Sequence, residues 1–349
     1  MSTASESIGQ DQSEIFRGTA EGETRLRDER SSDRITAAAI PAFVFGEELA
    51  DLADDDERIV VVTADLAKAN RAVDFAARHP GRFFNLGIAE KNMITVAAGM
   101  ASCGHVVYAA TFASFCALLG AEQIRTDCAY PRMPVRVVGH HSGMSMGFYG
   151  TSHHSLEDIG MMRTIADLTV VCVSDANHLR GVLRASVDHP GAMYIRLGRG
   201  RDPEVYTSVP DITFGRAIRL RQGSDIAIIA TGSEVHPSLQ AADLLAAQGI
   251  SARVIDMHTI KPLDVDEVLA AAAECGAVLT VEEANRTGGL GSAVAEVFAD
   301  HRVSVAFTRH GVPDEHVLIG PPAALYDHYR LDAPGIAAVA VDALQGAQR

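Results

Sequence analysis

The chain has 349 residues, 47% of them hydrophobic, which is too long for one ordinary core and sets two domains as the expectation. Its net charge of -15 argues against a nucleic-acid surface, because phosphate binding needs clustered Lys and Arg. The five cysteines are odd in number, widely spaced and without metal or redox spacing, so a reducing cytoplasm fits; no apolar run reaches membrane-spanning length, and the polar N-terminus carries no secretory signal.

Residues 1–33 are rich in Ser, Glu, Asp and Arg, and are expected to form a disordered or loosely docked arm. Apolar periodicity from Ile35 to Leu52 predicts a helix interrupted or begun near Pro41. Arg58–Thr63 reads as a buried strand ending at Ala64-Asp65-Leu66. Strand and helix patterns then alternate. Strands are expected at His105–Ala110, Pro134–Gly139, Thr169–Val173 and Met193–Leu197, and helices at Phe112–Cys128, Leu156–Ile165 and Ala176–Asp188. Strands this apolar on both faces belong to a mostly parallel sheet flanked by helices. The polar stretch 201–214, with Pro203 and Pro210, is the expected linker between a domain at 34–200 and another at 215–349. The second run predicts strands at Asp225–Ala230, Ala252–Asp256, Ala277–Val281 and Val303–Phe307. Its helices are expected at Pro237–Gln248, Val265–Cys275 and Gly291–Ala299. The fold class is therefore α/β, with two doubly wound domains.

One stretch stands out for chemistry. In Phe83-Phe84-Asn85-Leu86-Gly87-Ile88-Ala89-Glu90-Lys91-Asn92 a single acid sits at a strand-to-helix junction among apolar neighbours. Burial there would favour a protonated carboxyl, able to share its hydrogen; the plainer reading is an acid complementing the helix dipole. Phe112 and Phe115 fall three residues apart at the expected mouth of a helix, and could offer a flat heterocycle a stacking surface or form an ordinary core pair. The segment His140–His154 is denser in His and Gly than a connection needs. Its histidines lack the spacing of a zinc helix, which favours a substrate loop of neutral imidazoles, with several of them as plain exposed loop residues the alternative. Arg196 and Arg199 end a strand at the usual ligand edge; Arg196 reads as a surface pair with an acid, whereas Arg199 suits an anionic oxygen cluster. Gly288-Gly289-Leu290-Gly291-Ser292 before a helix looks like an anion cradle, but it departs from the dinucleotide fingerprint, so a tight packing turn is the stronger reading.

Taken in order, the motifs resemble the C-terminal half of transketolase. They are ADL at Ala64–Leu66, GIAEKN at Gly87–Asn92, TFASF at Thr111–Phe115, G-x-S-H-x-x-L-E-D at Gly150–Asp158 and IRLGR at Ile195–Arg199. TGSE at Thr231–Glu234 and VEEAN with GGLGSAVAE across Val281–Glu296 continue the set. The resemblance implies a pyrimidine-binding domain, a transketolase C-terminal domain and thiamine diphosphate as cofactor. Glu90 aligns with the catalytic glutamate, Phe112 and Phe115 with the aminopyrimidine pocket, and Ile88 with the apolar residue that keeps the cofactor bent. Leu118 and Asp65 match other cofactor-side positions. His141, Tyr149, His153 and Arg199 match the substrate channel, with His153 also counted as catalytic and Arg199 facing a terminal phosphate. The reaction implied is transfer of a two-carbon ketol unit from a ketose to an aldehyde. No metal ligand is expected in this chain.

The G-D-G…N motif that holds the diphosphate and its Mg2+ or Ca2+ is absent from the sequence. A separate N-terminal transketolase subunit carrying it is therefore expected, in an α2β2 assembly, with sugar substrates and neither nucleic acid nor membrane as partners. Three departures bear on substrate. Tyr149 stands where the family often has an acid, Ala69 where it has a serine, and no arginine matches near Ala42. An unphosphorylated or specialised acceptor is one expectation, and compensation by Lys68 the other. The competing readings are the beta subunit of a 2-oxo acid dehydrogenase, a deoxyxylulose-phosphate-synthase-like enzyme, and a non-catalytic scaffold subunit.

Overall fold

The structure, a computed structural model, describes residues 44–200 and 202–347. The expected arm at 1–33 lies outside these residues. No helix among them is long and apolar enough to cross a membrane.

The central strands form because they are predominantly apolar and covered on both faces. In β1 (Ile59–Thr63) and β8 (Ile226–Ala230) every residue is buried. The first sheet has seven strands in the order β10-β5-β6-β4-β3-β1-β2. These are β2 (Phe83–Asn85), β3 (Val106–Phe112), β4 (Val135–His140), β5 (Thr169–Cys172), β6 (Met193–Arg196) and β10 (Thr259–Lys261), together with β1. All pairings are parallel except that of β10 with β5. The second sheet has five strands in the order β12-β11-β8-β9-β7, namely β7 (Ile218–Arg221), β9 (Ala252–Asp256), β11 (Ala277–Asn285), β12 (Ala306–Val312) and β8. Only its β7–β9 pair is antiparallel.

Alternation along the first sheet divides its side chains between two layers. Val60 and Val62 join Val107 and Ala109 on one face, while Ile59 and Val61 join Tyr108 and Ala110 on the other. The first face receives the helix Glu90–Ser102 through Met93, Ile94, Ala97 and Ala101, a stripe at helical spacing. The same apolar cluster runs on into the second sheet at Ile229, Ile255 and Val278, so one core joins both domains.

Several expected elements shift. The strand expected to stop at Ala110 continues to Phe112, and the following segment is helical in broken pieces, Phe115–Leu119, Ala121–Gln123 and Ile124–Ala129. The last strand begins at Ala306, not Val303. β7 and β10 and the helices Ala72–Arg78, Pro322–His328 and Ala333–Ala347 had no counterpart among the expected elements.

Candidate active site

Parallel strands present their C-terminal ends on one edge, where ligands of such sheets bind. Thr63 of β1 lies in register with Asn85 of β2 and Ala110 of β3, and Phe112 with His140 of β4. Adjacent strand ends therefore carry Glu90, Asp65, the Phe112–Phe115 turn and the His140–His141 pair. Asp65 sits in the left-handed region at φ 61°. Its backbone N–H donates to Asn85 Oδ1 at 3.0 Å, Asn85 Nδ2 donates to Asp65 Oδ1 at 3.1 Å, and the Gly87 N–H also reaches Asn85 Oδ1. Asn85 was absent from the expected site residues. Glu90 is buried at the first position of its helix, and two residues before it Ile88 is 82% exposed. Leu118 is partly exposed on the helical segment that follows Phe115. That segment is drawn onto the Glu90 helix at Gly120, where a Cβ would stand 2.2 Å from Ile94 Cδ1.

The aromatic side chains gather into one cluster. The Phe112 and Phe115 rings meet edge to face with centroids 5.5 Å apart. Phe112 lies 5.1 Å from His140, 5.0 Å from His141 and 5.7 Å from His153. His153 also stands 5.2 Å from Phe115 and 4.9 Å from Tyr149. Both phenylalanines are partly exposed, so this is an open aromatic surface and not a closed core pair. His140 Nδ1 and His141 Nδ1 are 2.7 Å apart, so one ring donates and the other accepts. Burial pushes the His140 imidazole down to about 3 and moves His153 and His154 below their ordinary range. The His140 and His153 rings are therefore neutral at physiological pH. His154 has a structural role, its Nε2 donating to the Gly147 carbonyl at 3.0 Å.

Arg199 stands apart from the cluster. Its guanidinium donates to the Ser145 carbonyl at 3.2 Å and lines a cavity of about 600 Å³ between the domains, together with Asp202, Ser233, Glu234 and Tyr326. Burial pushes Asp202 up to about 7 and Glu234 well above the usual carboxylate range. Arg196 is not the surface pair its sequence suggested. It is buried, with Nε donating to Asp158 Oδ2 at 2.7 Å, because β6 lies inside the sheet and the helix Asp158–Thr164 closes over its end. The Gly288–Gly291 turn does cradle an anion, but an internal one. The Leu290 and Gly291 N–H groups donate to the Glu282 carboxylate at 2.7 and 2.8 Å. Among the described residues no group of three or more His, Cys, Asp and Glu is placed to hold a metal ion.

The fold and this edge define a two-domain α/β protein with an aromatic, imidazole-lined face. The family model of the transketolase pyrimidine-binding domain matches residues 42–203, and that of the transketolase C-terminal domain matches 215–336. An apulose-4-phosphate transketolase subunit of Phocaeicola vulgatus is 38% identical over 299 residues, covering 85% of this chain and 95% of that protein. The 6-deoxy-6-sulfo-D-fructose transketolase subunit SqwH of a Clostridium species is 38% identical over 288 residues, covering 82% of this chain and 89% of that protein. A solved split-gene transketolase, an inactive beta4 tetramer, superposes with TM-score 0.81 at 37% identity, covering 87% of this chain and 97% of that one. The chain belongs to the transketolase family. It is a split transketolase subunit corresponding to the C-terminal half, and its family implies dependence on thiamine diphosphate.

Proposed function

We propose that this subunit supplies the pyrimidine and sugar side of a ketol-transfer site, completed by a second chain that holds the diphosphate and its Mg2+ or Ca2+. The observation that carries this reading is the convergence on one sheet edge of a buried carboxyl, an open pair of phenylalanine rings and neutral imidazoles. These suit a flat, hydrogen-bonding heterocycle and a polyhydroxylated substrate. Thiamine diphosphate, when bound, supplies the carbon nucleophile and electron sink for cleaving a ketose between its second and third carbons.

This chain's residues bind, orient and hold protons. Glu90 offers a carboxyl oxygen for a hydrogen bond to a nitrogen of the aminopyrimidine. Phe112 and Phe115 give that ring an aromatic wall, Ile88 and Leu118 extend the apolar surface, and Asp65 closes the polar side. His141 and His153, set against the aromatic cluster, bond sugar hydroxyls, and His153 can relay a proton. Tyr149 stands at the cluster's exposed edge, and Arg199 takes the distal end of the substrate.

The diphosphate subunit would carry the G-D-G…N motif and assemble as α2β2. Relatives of nearly the same length are themselves named as subunits, which supports a separate partner. All five cysteines are unpaired, which suits a cytoplasmic location. A second reading has its own support. 1-Deoxy-D-xylulose-5-phosphate synthase 2 of Geobacter sulfurreducens is 38% identical over 298 residues, although the match spans 47% of that protein. Decarboxylation of a 2-oxo acid by the assembled complex would favour it.

The test is reconstitution with the G-D-G subunit. Ketol transfer should require both chains, and Glu90→Gln should lower kcat by at least about a hundredfold, the scale of lost acid–base catalysis. Turnover by the lone chain, or an active Glu90→Gln complex, would overturn the reading.

A further inference from the structure

We propose that Glu283, on β11 of the second domain, is a positioning residue that fixes the neck of the first domain's histidine loop and so sets where Tyr149 and His153 stand. The carboxylate is 1% exposed and takes three donors. The Met144 N–H reaches Oε1 at 2.6 Å, the Tyr326 hydroxyl reaches Oε1 at 2.6 Å, and the Ser233 hydroxyl reaches Oε2 at 2.8 Å. A buried carboxylate is costly unless its oxygens are bonded in this way. Packing alone would be served as well by an apolar side chain.

The contact falls at the base of the loop. Gly143 and Ser155 pair as an antiparallel bridge, each N–H donating to the other's carbonyl at 3.0 Å. Gly143 has φ 63°, and a Cβ there would lie 2.0 Å from Glu283 Cδ, so carboxylate and glycine occupy each other's space. The second strand of the neck is held from the other side. Arg196 Nη2 donates both to the Ser155 carbonyl at 3.1 Å and to the Glu283 carbonyl at 2.8 Å. One residue therefore grips both strands, directly through its side chain and indirectly through its own carbonyl. Farther out, the loop lies against the same domain, with Gly147 beneath the Gly320 carbonyl and Gly150 beneath Ile319. Within this frame His153 meets Phe112, Phe115 and Tyr149. Misplacing a binding group by about 1 Å can cost a hundredfold in rate, which makes the neck a lever on the site.

The kinetic part rests on the ketol-transfer reading; the structural part does not. Hydrogen exchange of the full-length chain, alone and in the reconstituted complex, reads the loop without reference to activity. In Glu283→Ala the amides of 143–155 should exchange at least about tenfold faster, while the rest of β11 keeps its protection. Glu283→Gln should restore slow exchange, because its amide oxygen still accepts from Met144 and Tyr326. In the complex Glu283→Ala should lower kcat for the ketose about a hundredfold, and Glu283→Gln should recover most of that loss. Should Glu283→Ala fail to fold, the pair Ser233→Ala and Tyr326→Phe removes two donors from the carboxylate and should loosen the same amides. Unchanged exchange in either folded variant overturns the proposal, as does faster exchange with wild-type kcat and KM. A wild-type complex without ketol transfer refutes the functional reading and leaves exchange to decide this one.

Discussion

Asn85 and Asp65 bond each other reciprocally across the ends of β2 and β1, the amide oxygen of Asn85 accepting from the Asp65 backbone while its NH2 donates to the Asp65 carboxylate. The same amide oxygen also accepts from Gly87, so one side chain sets both the Asp65 turn and the approach to Glu90. Asn85→Ala should remove that link with little loss of stability, because Asn85 and Asp65 are both exposed. The expected result is about a tenfold rise in the cofactor concentration giving half-maximal activity, the effect of one or two lost hydrogen bonds. Titration of thiamine diphosphate into the reconstituted complex measures it, and equal half-saturation would leave the Asp65–Asn85 link without a part in binding.

Arg199 faces a cavity whose other titratable walls include Asp202 and Glu234. A single guanidinium among acids is a weak trap for a dianion. Arg199→Ala should therefore raise KM for a phosphorylated aldehyde by no more than about tenfold, the value of one charge-assisted bond, and leave an unphosphorylated one nearly unchanged. Steady-state kinetics with matched pairs of aldehydes would show it. A strong wild-type preference for the phosphorylated partner would point instead to further cations, such as Lys68 or groups on the second chain.

Asp158 neutralises the buried Arg196 and also accepts from the Tyr194 hydroxyl at 2.8 Å. Asp158→Asn leaves the guanidinium buried without its counter-charge, and removing one partner of such a pair costs about 3–5 kcal/mol. Urea unfolding of the full chain should register a loss of that size. A change below about 1 kcal/mol would mean that water or a relaxed neighbour already compensates the charge.

Between the domains, Asp256 accepts from the Tyr206 hydroxyl at 2.8 Å and the Ser174 hydroxyl at 3.2 Å, with His178 Nδ1 3.5 Å away. Burial pushes the Asp256 carboxyl up to about 7 and, with help from nearby His258, pushes His178 well down. Between about pH 4 and 7 the folded protein holds more proton at Asp256 than the unfolded chain, so this group's stabilisation is lost as pH rises through 7. His178 acts oppositely. The unfolded chain binds its proton first, so its contribution is intact above about 6.5 and is lost as pH falls. Asp256→Asn should remove the first slope and expose the second, making stability climb more steeply from pH 4 to 6.5. The difference from wild type should be on the order of 1 kcal/mol per pH unit, measured by urea unfolding across the range. Parallel curves for the two proteins would rule out titration at Asp256.

What could be read from the chain follows from how local the information is. Gly87–Asn92 and Thr111–Phe115 are contiguous strand-end stretches, so their residue types and spacing carry the site. Phe112 shows the limit. Its place as the last residue of a strand, and not in a helix, is set by pairing with β4. β2 and β10 are three residues long and carry no periodic signal of their own. The role of Glu283 was invisible for a different reason, since its donors lie 139, 50 and 43 residues away. Arg196 was misjudged because a charged residue at a strand end is usually solvated, and only the closure of the Asp158 helix buries it.

The three residues Thr259–Lys261 belong by sequence to the second half but finish the first sheet, paired against β5. An excised N-terminal half would leave β5, buried at every position, as a bare and sticky rim. The first half is thus unsuited to life as a free-standing module, and expressing residues 44–214 alone should give insoluble protein unless the borrowed strand travels with the sheet it completes.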